Sequence, residues 1–308
     1  GLMTDLIRPE SLTQLYGRRR GLAGLDHEVR PGEIYGFLGP NGAGKTTTIR
    51  ILLDLIRPTS GRASVFGVDP RAGGPALRRR IGYLAGDFVV DDGQSSAELL
   101  AHLGHLRGGV PKPRVQELAD RLELDLRSRI RSLSKGNRQK VGLVQAFMHE
   151  PELLILDEPT SGLDPLMQQT FFELVREARA EGRTVFLSSH VISEVERTCD
   201  RVAIIREGRL VTVDRVDALR DLAIHEVELR FAGAVPAEEF SRVEGVQNVR
   251  AEDHVLRMEV AGPISPVVRL AARYELVDFE SREPNLEDIF LAHYGRDGGR
   301  EVTADDRR

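Results

Sequence analysis

The chain has 308 residues, of which 41% are hydrophobic, a share typical of a globular protein with one large domain or a large and a small one. Its 43 Lys and Arg nearly balance 48 Asp and Glu, so the formal charge of −5 gives no general reason to expect nucleic acid as a partner. A single cysteine, Cys199, excludes an intramolecular disulfide. The sequence shows neither a secretory signal nor an apolar run of the roughly 18 residues that cross a bilayer. We therefore expect a cytoplasmic protein.

Strand and helix patterns alternate over the first two-thirds of the chain, which indicates a domain built on an α/β sheet. The segment EIYGFLG predicts a strand that ends in glycine, and TTTIRILLDLI predicts the helix that follows it. The uninterrupted apolar run in LLILDE predicts a buried strand. Further predicted elements are the helices DPLMQQTFFELVREARAEG and VISEVERTC, the strand TVFLSS, and the hairpin RVAIIREGRLVTV, which turns at Glu207 and Gly208.

Two changes of pattern divide the chain further. From Asp87 to Lys140 the pattern is mostly helical, which predicts a helical subdomain inserted between sheet elements. After residue 218 the order strand–helix–strand–strand–helix–strand predicts a small α+β domain of ferredoxin-like fold. We therefore expect a first domain over residues 1–218, a regulatory or dimer-stabilising domain over 219–295 that ends in the helix PNLEDIFLAHY, and a disordered tail over 296–308.

A glycine-rich stretch lies between the first predicted strand and its helix, and it satisfies G-x-x-x-x-G-K-[ST]. Glycines let the backbone coil so that successive N–H groups point inward, and this nest together with a helix N-terminus suits a polyphosphate. Lys45 can reach the β- and γ-phosphates, and the Thr46 hydroxyl can bind Mg²⁺. The predicted nucleotide-binding residues of this stretch are Gly39, Pro40, Asn41, Gly42, Ala43, Gly44, Lys45, Thr46 and Thr47.

The buried strand LLILDE ends in two carboxylates, Asp157 and Glu158. Because the carboxyl ends of parallel strands face the crevice where ligands bind, both carboxylates are expected close to the glycine-rich stretch. Asp157 is expected to orient Mg²⁺, and Glu158 to polarise or deprotonate an attacking water. The alternative is that two acids merely end a buried strand at a surface turn.

The order of the motifs resembles the ATP-binding subunits of ABC transporters over roughly residues 5–217. The segment LSKGNRQK, from Leu133 to Lys140, is similar to that family's LSGGQ signature, with lysine for one glycine and asparagine for the glutamine. LLILDEPTSGLDP resembles the family's Walker B strand, glutamate and D-loop, His190 in SSHVISEVE fits its switch histidine, and Tyr16 fits its adenine-stacking aromatic residue. The resemblance implies a P-loop NTPase fold of the ABC type and an ATPase that binds ATP and Mg²⁺.

The family clamps ATP between the phosphate loop of one copy and the signature of a second, head to tail, which implies a homodimer for this chain. Ser134, Gly136 and Asn137 would then hydrogen-bond the partner's γ-phosphate, and Asp164 would couple the two sites. Ser134 also suits the cap of a helix that begins near Lys135. Taken singly, Tyr16 and His190 could equally be ordinary residues at strand ends.

The resemblance assigns catalysis to Glu158, His190 and Lys45, with one departure from the family pattern. The family has a glutamine after IGYLP, whereas this chain reads IGYLAGDF and has Gly86 in that place. Glycine has no side chain to bind a metal ion, so either the adjacent Asp87 substitutes for the glutamine or the metal keeps an extra water.

LGPNGAGKTTTIRILLDLIRPTSG and EPNLEDIFLAHY are similar to segments in ATPase subunits of bacterial exporters, including the daunorubicin-resistance type. This resemblance implies an ATPase on the cytoplasmic face of the membrane that powers a separate permease and exports a drug, a lipid or another hydrophobic compound. Two alternatives stay open, an ABC-type ATPase acting on nucleic acid or ribosomes, and an importer subunit. The first would suit a more basic chain, and the motifs do not separate import from export.

Overall fold

The computed structural model describes residues 5–16, 19–88, 93–221 and 224–282. The chain divides into two compact units between Asp214 and Arg215, and each is described by itself. The final helix PNLEDIFLAHY and the tail over 296–308 lie outside the described residues. None of the helices in the described ranges is long and apolar enough to cross a membrane.

The elements alternate up to residue 221 much as the sequence pattern indicates. They are β1 (Ile7–Tyr16), β2 (Arg19–Leu25), β3 (Ile34–Leu38), α1 (Lys45–Leu52), β4 (Ser60–Val65), α2 (Pro70–Arg79), β5 (Ile81–Leu84), α3 (Ser96–Leu106), α4 (Lys112–Arg121), a 3₁₀ turn (Ile130–Ser132), α5 (Lys135–Phe147), β6 (Leu153–Asp157), α6 (Pro165–Ala180), β7 (Thr184–Ser189), α7 (Ile192–Thr198), β8 (Arg201–Arg206), β9 (Arg209–Arg215) and α8 (Val216–Asp221).

A six-stranded sheet in the order β5-β6-β7-β3-β8-β9 forms the centre of the first unit. Its strands from β5 to β8 pair in parallel, so their carboxyl ends meet along one edge. Every residue of β3, β6 and β7 is buried, which explains why these strands read as continuous apolar runs rather than as alternating patterns. The sheet thus positions the residues that follow β3, β6 and β7 next to one another.

A second, antiparallel sheet in the order β2-β1-β4 packs on the same core. Side chains from both sheets and from α1 meet in one cluster, which includes Ile7, Leu22, Phe37, Ile49 and Phe186. The sequence pattern did not predict this sheet. The hairpin of β8 and β9 and the helices between Asp87 and Lys140 are present as predicted.

The helix predicted over TTTIRILLDLI is shorter than expected, because α1 ends at Leu52. Asp54 takes a left-handed conformation with φ of 57°. Its N–H donates to the Ile51 carbonyl at 3.1 Å, and the Leu55 N–H donates to the Arg50 carbonyl at 2.8 Å. This pattern of capping bonds is one that ends helices, and it satisfies the last carbonyls of α1 before the chain continues towards β4.

The second unit contains β10 (Ile224–Phe231), α9 (Ala237–Ser241), β11 (Val246–Glu252), β12 (Val255–Ala261), α10 (Ser265–Ala271) and β13 (Leu276–Arg282). All neighbouring strands pair antiparallel, in the order β11-β12-β10-β13. The element order and the strand order together are those of a ferredoxin-like fold, in agreement with the sequence pattern. Phe231, Phe240, Met258 and Val267 lie in its separate hydrophobic core.

Candidate active site

The glycine-rich stretch closes around the Lys45 ammonium group. Lys45 is 5% exposed, and its Nζ donates to the carbonyls of Gly39 and of Pro40, the latter at 3.1 Å. Gly44, the residue before α1, has φ of 109°, and a Cβ there would lie 2.6 Å from the Gly21 carbonyl oxygen. Gly44 therefore meets both a conformational and a steric requirement. The loop presents the N-terminus of α1 and a nearly buried cation at the carboxyl edge of the sheet.

Asp157 lies beside the first turn of α1. The Thr46 hydroxyl donates to Asp157 Oδ2 at 2.9 Å, and the Ser188 hydroxyl donates to Asp157 Oδ1 at 2.6 Å. The Ser188 Oγ also accepts a hydrogen bond from the Glu158 N–H at 3.1 Å. Ser188 is fully buried at the end of β7, directly opposite Asp157 in the pairing of β6 with β7. It therefore fixes the positions of both acidic residues.

Glu158 is the junction of three functional groups. Its Oε1 lies 3.4 Å from Lys45 Nζ, and its Oε2 lies 2.9 Å from His190 Nδ1. Oε1 is shielded from solvent and has no hydrogen-bond partner in the described part of the chain. The backbone of Glu158 is left-handed, with φ of 48°, a conformation that costs free energy in a residue with a side chain. The fold thus holds next to the loop a carboxylate whose Oε1 has an ion-pair contact with Lys45 but no hydrogen bond.

Tyr16 lies at the end of β1, near the start of α1. Its ring covers Gly21, where a Cβ would lie 2.7 Å from the ring Cε2, and its hydroxyl is 3.5 Å from the Thr47 Oγ1. The side chain is 51% exposed. A flat, exposed aromatic surface beside the phosphate loop is available to stack on a planar base.

Three predicted residues, Ser134, Gly136 and Asn137, lie at the N-terminus of α5, and a fourth, Asp164, lies at the N-terminus of α6. Ser134 caps α5, since its Oγ accepts a hydrogen bond from the Asn137 N–H at 3.2 Å. Gly136 lies against the loop before α6, because a Cβ there would be 2.6 Å from the Gly162 carbonyl oxygen. Asp164 caps α6 by accepting from the Met167 N–H at 2.9 Å. No hydrogen bond or ion pair between described residues joins Ser134, Gly136 or Asn137 to the glycine-rich stretch.

Gly86 lies against Asp157, since a Cβ built on it would be 3.2 Å from Asp157 Oδ2. The position that departs from the family pattern is therefore in contact with the acidic cluster. Burial, and then the Asp157 carboxylate, raise the pKa of the nearby Tyr83 phenol. The Asp87 side chain is exposed.

The sequence patterns missed a set of residues that hold this edge together. Glu194 on α7 accepts from the Thr160 hydroxyl at 2.6 Å and from the Ser189 hydroxyl at 3.0 Å. The Ser189 Oγ in turn accepts from the Val191 N–H at 2.9 Å, which pins the turn that carries His190. Ser188 and Ser189 lie at the carboxyl end of a parallel strand, where ligand sites form, and this location could have identified them as site residues.

The metal-binding prediction rests on oxygen donors alone. Thr46 Oγ1 and Asp157 Oδ2 converge, and hydroxyl and carboxylate oxygens are the ligands that Mg²⁺ prefers. Within the described residues there is no group of three or more His, Cys, Asp and Glu that could hold a metal ion. A pair of donors nevertheless fits Mg²⁺, because this ion usually keeps several waters and binds through one or two protein ligands and a phosphate.

Known proteins similar to this chain fall into one group. A family model described as ABC transporter matches residues 22–161. Daunorubicin resistance ATP-binding protein DrrA3 of Streptomyces coeruleorubidus is 34% identical over 95% of this chain and 94% of its own length. Nod factor export ATP-binding protein I of Rhizobium meliloti strain 1021 is 33% identical over 96% of this chain and 89% of its own length. A solved structure of an ATP binding subunit of an ABC transporter superposes with a TM-score of 0.65, at 32% identity, over 70% of this chain and 92% of that one.

Proposed function

The chain belongs to the ATP-binding subunits of ABC transporters, and from this premise we propose that two copies of it close on ATP and drive a separate membrane permease that exports a hydrophobic compound. Members of the family are ATPases that bind ATP, and this chain is one of them. The observation that carries the proposal is the convergence of Lys45, Asp157, Glu158 and His190 at one sheet edge.

Each of these residues has a task in the proposed reaction. Two of the three Lys45 N–H groups are used by loop carbonyls, and Glu158 Oε1 lies 3.4 Å from the same Nζ, so a phosphate oxygen would take the place of this carboxylate at the third. Glu158 would accept a proton from the attacking water through Oε1, which has no hydrogen bond within the described residues. His190 would hold the γ-phosphate and keep Glu158 oriented through its 2.9 Å contact with Oε2.

Thr46 and Asp157 would hold Mg²⁺ in this proposal. When bound, the ion would neutralise part of the charge on the phosphates. The two side chains converge, because the Thr46 hydroxyl donates to Asp157 Oδ2 at 2.9 Å. Gly86, which lies against Asp157, has no side chain to bind the ion, so a water would take the place of the family's glutamine.

The head-to-tail dimer is proposed because, within the described residues, no hydrogen bond or ion pair joins the N-terminus of α5 to the glycine-rich stretch of the same chain. The first N–H groups of a helix have no partner inside the helix, so the N-terminus of α5 attracts an anion. Ser134, Gly136 and Asn137 lie there, without a bond to the phosphate loop of their own chain. A second copy, related by a two-fold axis, would bring its γ-phosphate to this end. Asp164, which caps α6 close to Gly136, would couple the closure of one ATP site to the other ATP site.

The direction of transport is proposed from the relatives. They are named for daunorubicin resistance, for Nod factor export and, in Bacillus licheniformis, for bacitracin transport at 38% identity over 71% of this chain and 72% of that one. We place the subunit on the cytoplasmic face of the membrane, held there by its permease, with no nucleic acid as a partner. The domains at 1–218 and 219–295 would serve ATP hydrolysis and regulation or dimer stability, respectively.

Ser188 gives a prediction about Mg²⁺. Because its hydroxyl holds Asp157 Oδ1 and the Glu158 N–H, Ser188→Ala should raise the Mg²⁺ concentration for half-maximal ATPase activity about 10-fold or more. The control is Ser189→Ala, since the neighbouring hydroxyl contacts Glu194 rather than Asp157. A Mg²⁺ titration of ATPase activity measures both, and equal Mg²⁺ requirements in the two variants would refute the role given to Ser188.

Tyr16 gives a prediction about nucleotide affinity. Tyr16→Ala should weaken ATP binding by about 1–3 kcal/mol, the range measured when an aromatic residue that stacks on a base is truncated. Tyr16→Phe keeps the ring and loses only the 3.5 Å contact with Thr47, so its ATP affinity should stay close to that of the parent. Calorimetric titration with ATP distinguishes the two variants. An unchanged ATP affinity of the Tyr16→Ala protein would show that Tyr16 does not stack on the base.

The proposed function is tested by capture from native membranes. Tagged Glu158→Gln protein is incubated with detergent-solubilised membranes in Mg²⁺ and ATP, with ADP as the control nucleotide. We expect an integral membrane protein with several spans to be captured with ATP, and its identity would indicate the exported compound. Capture of ribosomes or DNA without any permease would mean that the ATPase serves a different process.

A further inference from the structure

The second unit carries an open groove of about 450 Å³ between α9 and α10. The half-buried side chains of Val243 and Leu270 form its apolar floor. Three exposed arginines, Arg242, Arg269 and Arg273, line it. A volume of this size accommodates a small ligand. The groove therefore combines room for a ligand, an apolar base and three cationic groups.

The three arginines outnumber the acidic residues of the groove, because Glu239 is the one carboxylate among its described lining residues. None of the three arginine side chains forms a hydrogen bond or an ion pair in the described part of the chain. The one carboxylate that lines the groove, Glu239, accepts a hydrogen bond from the Tyr274 phenol, which raises the pKa of Tyr274. Accepting this hydrogen bond does not neutralise the carboxylate, so Glu239 offsets one of the three positive charges and the groove keeps a net positive charge, in a chain whose formal charge is −5.

Arginines on the opposite face of the same unit are arranged differently. On the exposed face of the sheet, Arg257 Nε lies 2.9 Å from Glu228, Arg230 lies 3.9 Å from the same carboxylate, and Arg282 lies 4.0 Å from Glu226. Exposed arginines of this domain can therefore find carboxylates when acidic residues stand opposite them. The contrast marks the groove as the place where an anion from outside the domain would be attracted.

Helix ends explain only part of this arrangement. Arg242 follows α9 directly and Arg269 lies in the last turn of α10, where a cation is favoured by the partial negative charge at a helix C-terminus. That effect accounts for one cation at each helix end. The partial charges at two helix ends are smaller than the charge of three guanidinium groups, which repel one another within one groove.

We propose that this groove binds a phosphate-bearing anion. A guanidinium group is planar and presents paired N–H donors that match the oxygens of a phosphate, and several of them can share one multiply charged group. The apolar floor would contact the organic part to which the phosphate is attached. The phosphate could belong to an anionic lipid headgroup or to a free phosphorylated molecule, and the experiment below separates these sources.

Two double variants of the full chain provide the test. Arg269→Gln/Arg273→Gln removes two cations from the groove, and Arg250→Gln/Arg257→Gln removes two from the sheet face, so both variants have the same net charge. The first probe is co-sedimentation with vesicles of phosphatidylglycerol and phosphatidylcholine in equal parts, against pure phosphatidylcholine. The second probe is inorganic phosphate, followed through the arginine Nε–H resonances. Both double variants keep the nucleotide loop intact, so phosphate bound there contributes equally to both and does not affect the comparison between them.

If the phosphate is a lipid's, the groove variant should bind the anionic vesicles about fivefold more weakly per arginine lost, while the sheet-face variant binds as the parent does. If the phosphate is free, the vesicles will not separate the variants, and inorganic phosphate will saturably shift the resonances of Arg269 and Arg273 in the parent. Equal behaviour of the two double variants with both probes would overturn the proposal, because only nonspecific charge would then be at work.

Discussion

Replacing Glu158 with glutamine is expected to stop ATP hydrolysis while ATP still binds. Glutamine has nearly the same shape but no basic oxygen, so the hydrolysis rate should fall by about 10²- to 10⁴-fold, the contribution typical of a positioned general base. The Lys45 ammonium loses a neighbouring carboxylate 3.4 Å away and keeps its carbonyl partners, so the affinity for ATP should be retained or rise. With ATP unhydrolysed, the dimer should accumulate in sedimentation velocity experiments.

Glu152→Gln is the matched control for this variant. Glu152 precedes β6 at its amino end, while Glu158 follows β6 at its carboxyl end. Glu152 is exposed and pairs with Arg80 at 2.8 Å, far along the strand from the reaction site. Its removal should leave turnover unchanged. Normal phosphate release by the Glu158→Gln protein would show that another group activates the water.

Lys45→Ala is also expected to abolish turnover, but for a different reason. Glu158→Gln keeps ATP binding and loses hydrolysis, whereas Lys45→Ala loses tight ATP binding. The variant removes the only charge inside the loop and leaves the carbonyls of Gly39 and Pro40 without their donor. A single preorganised donor to a developing negative charge contributes about 10²- to 10³-fold to a rate, and here the same donor also supports ground-state binding. Calorimetry should show weakened ATP binding, and phosphate release should fall below detection.

Arg50→Ala controls for the loss of a cation from the same helix. Arg50 is exposed in the last turn of α1, at the end remote from the phosphate loop. Lys45→Ala and Arg50→Ala each remove one positive charge, so a difference in their ATP affinities results from the position of the lost cation. Wild-type ATP affinity in the Lys45→Ala protein would contradict the assignment of this loop as the phosphate site.

The elements that the sequence predicts are those whose apolar residues are continuous or recur with the period of a strand or a helix. β3, β6 and β7 are buried along their whole length, and their apolar runs reveal them. The sequence does not predict the antiparallel sheet, because β4, SGRASV, is buried only at its last residue, and because β1 contains a proline and a left-handed Ser11 that interrupt its alternation. Pairing with distant strands, rather than local pattern, forms this sheet.

The site divides in the same way. Glycines, Lys45 and the two acids lie in short contiguous strings whose spacing carries their chemistry, so the sequence predicts that they converge. Ser188 and Glu194 do not lie in such strings, because their contacts depend on strand register and on the packing of α7. Asp157 lies opposite Ser188 only because β6 and β7 pair in the register observed. Contacts of this kind follow from tertiary structure.

The most direct test of the central claim asks whether each ATP site is shared between two copies. Two variants are made in the Glu158→Gln background, one with Lys45→Ala, which lacks a working loop, and one with Ser134→Arg, which blocks the N-terminus of α5. Their sedimentation is measured with Mg²⁺ and ATP, separately and mixed. We predict that each variant alone stays monomeric and that the mixture forms dimers, because one intact loop then faces one intact signature. Dimers of either variant alone, at the level of the Glu158→Gln parent, or a mixture that stays monomeric, would contradict the head-to-tail arrangement.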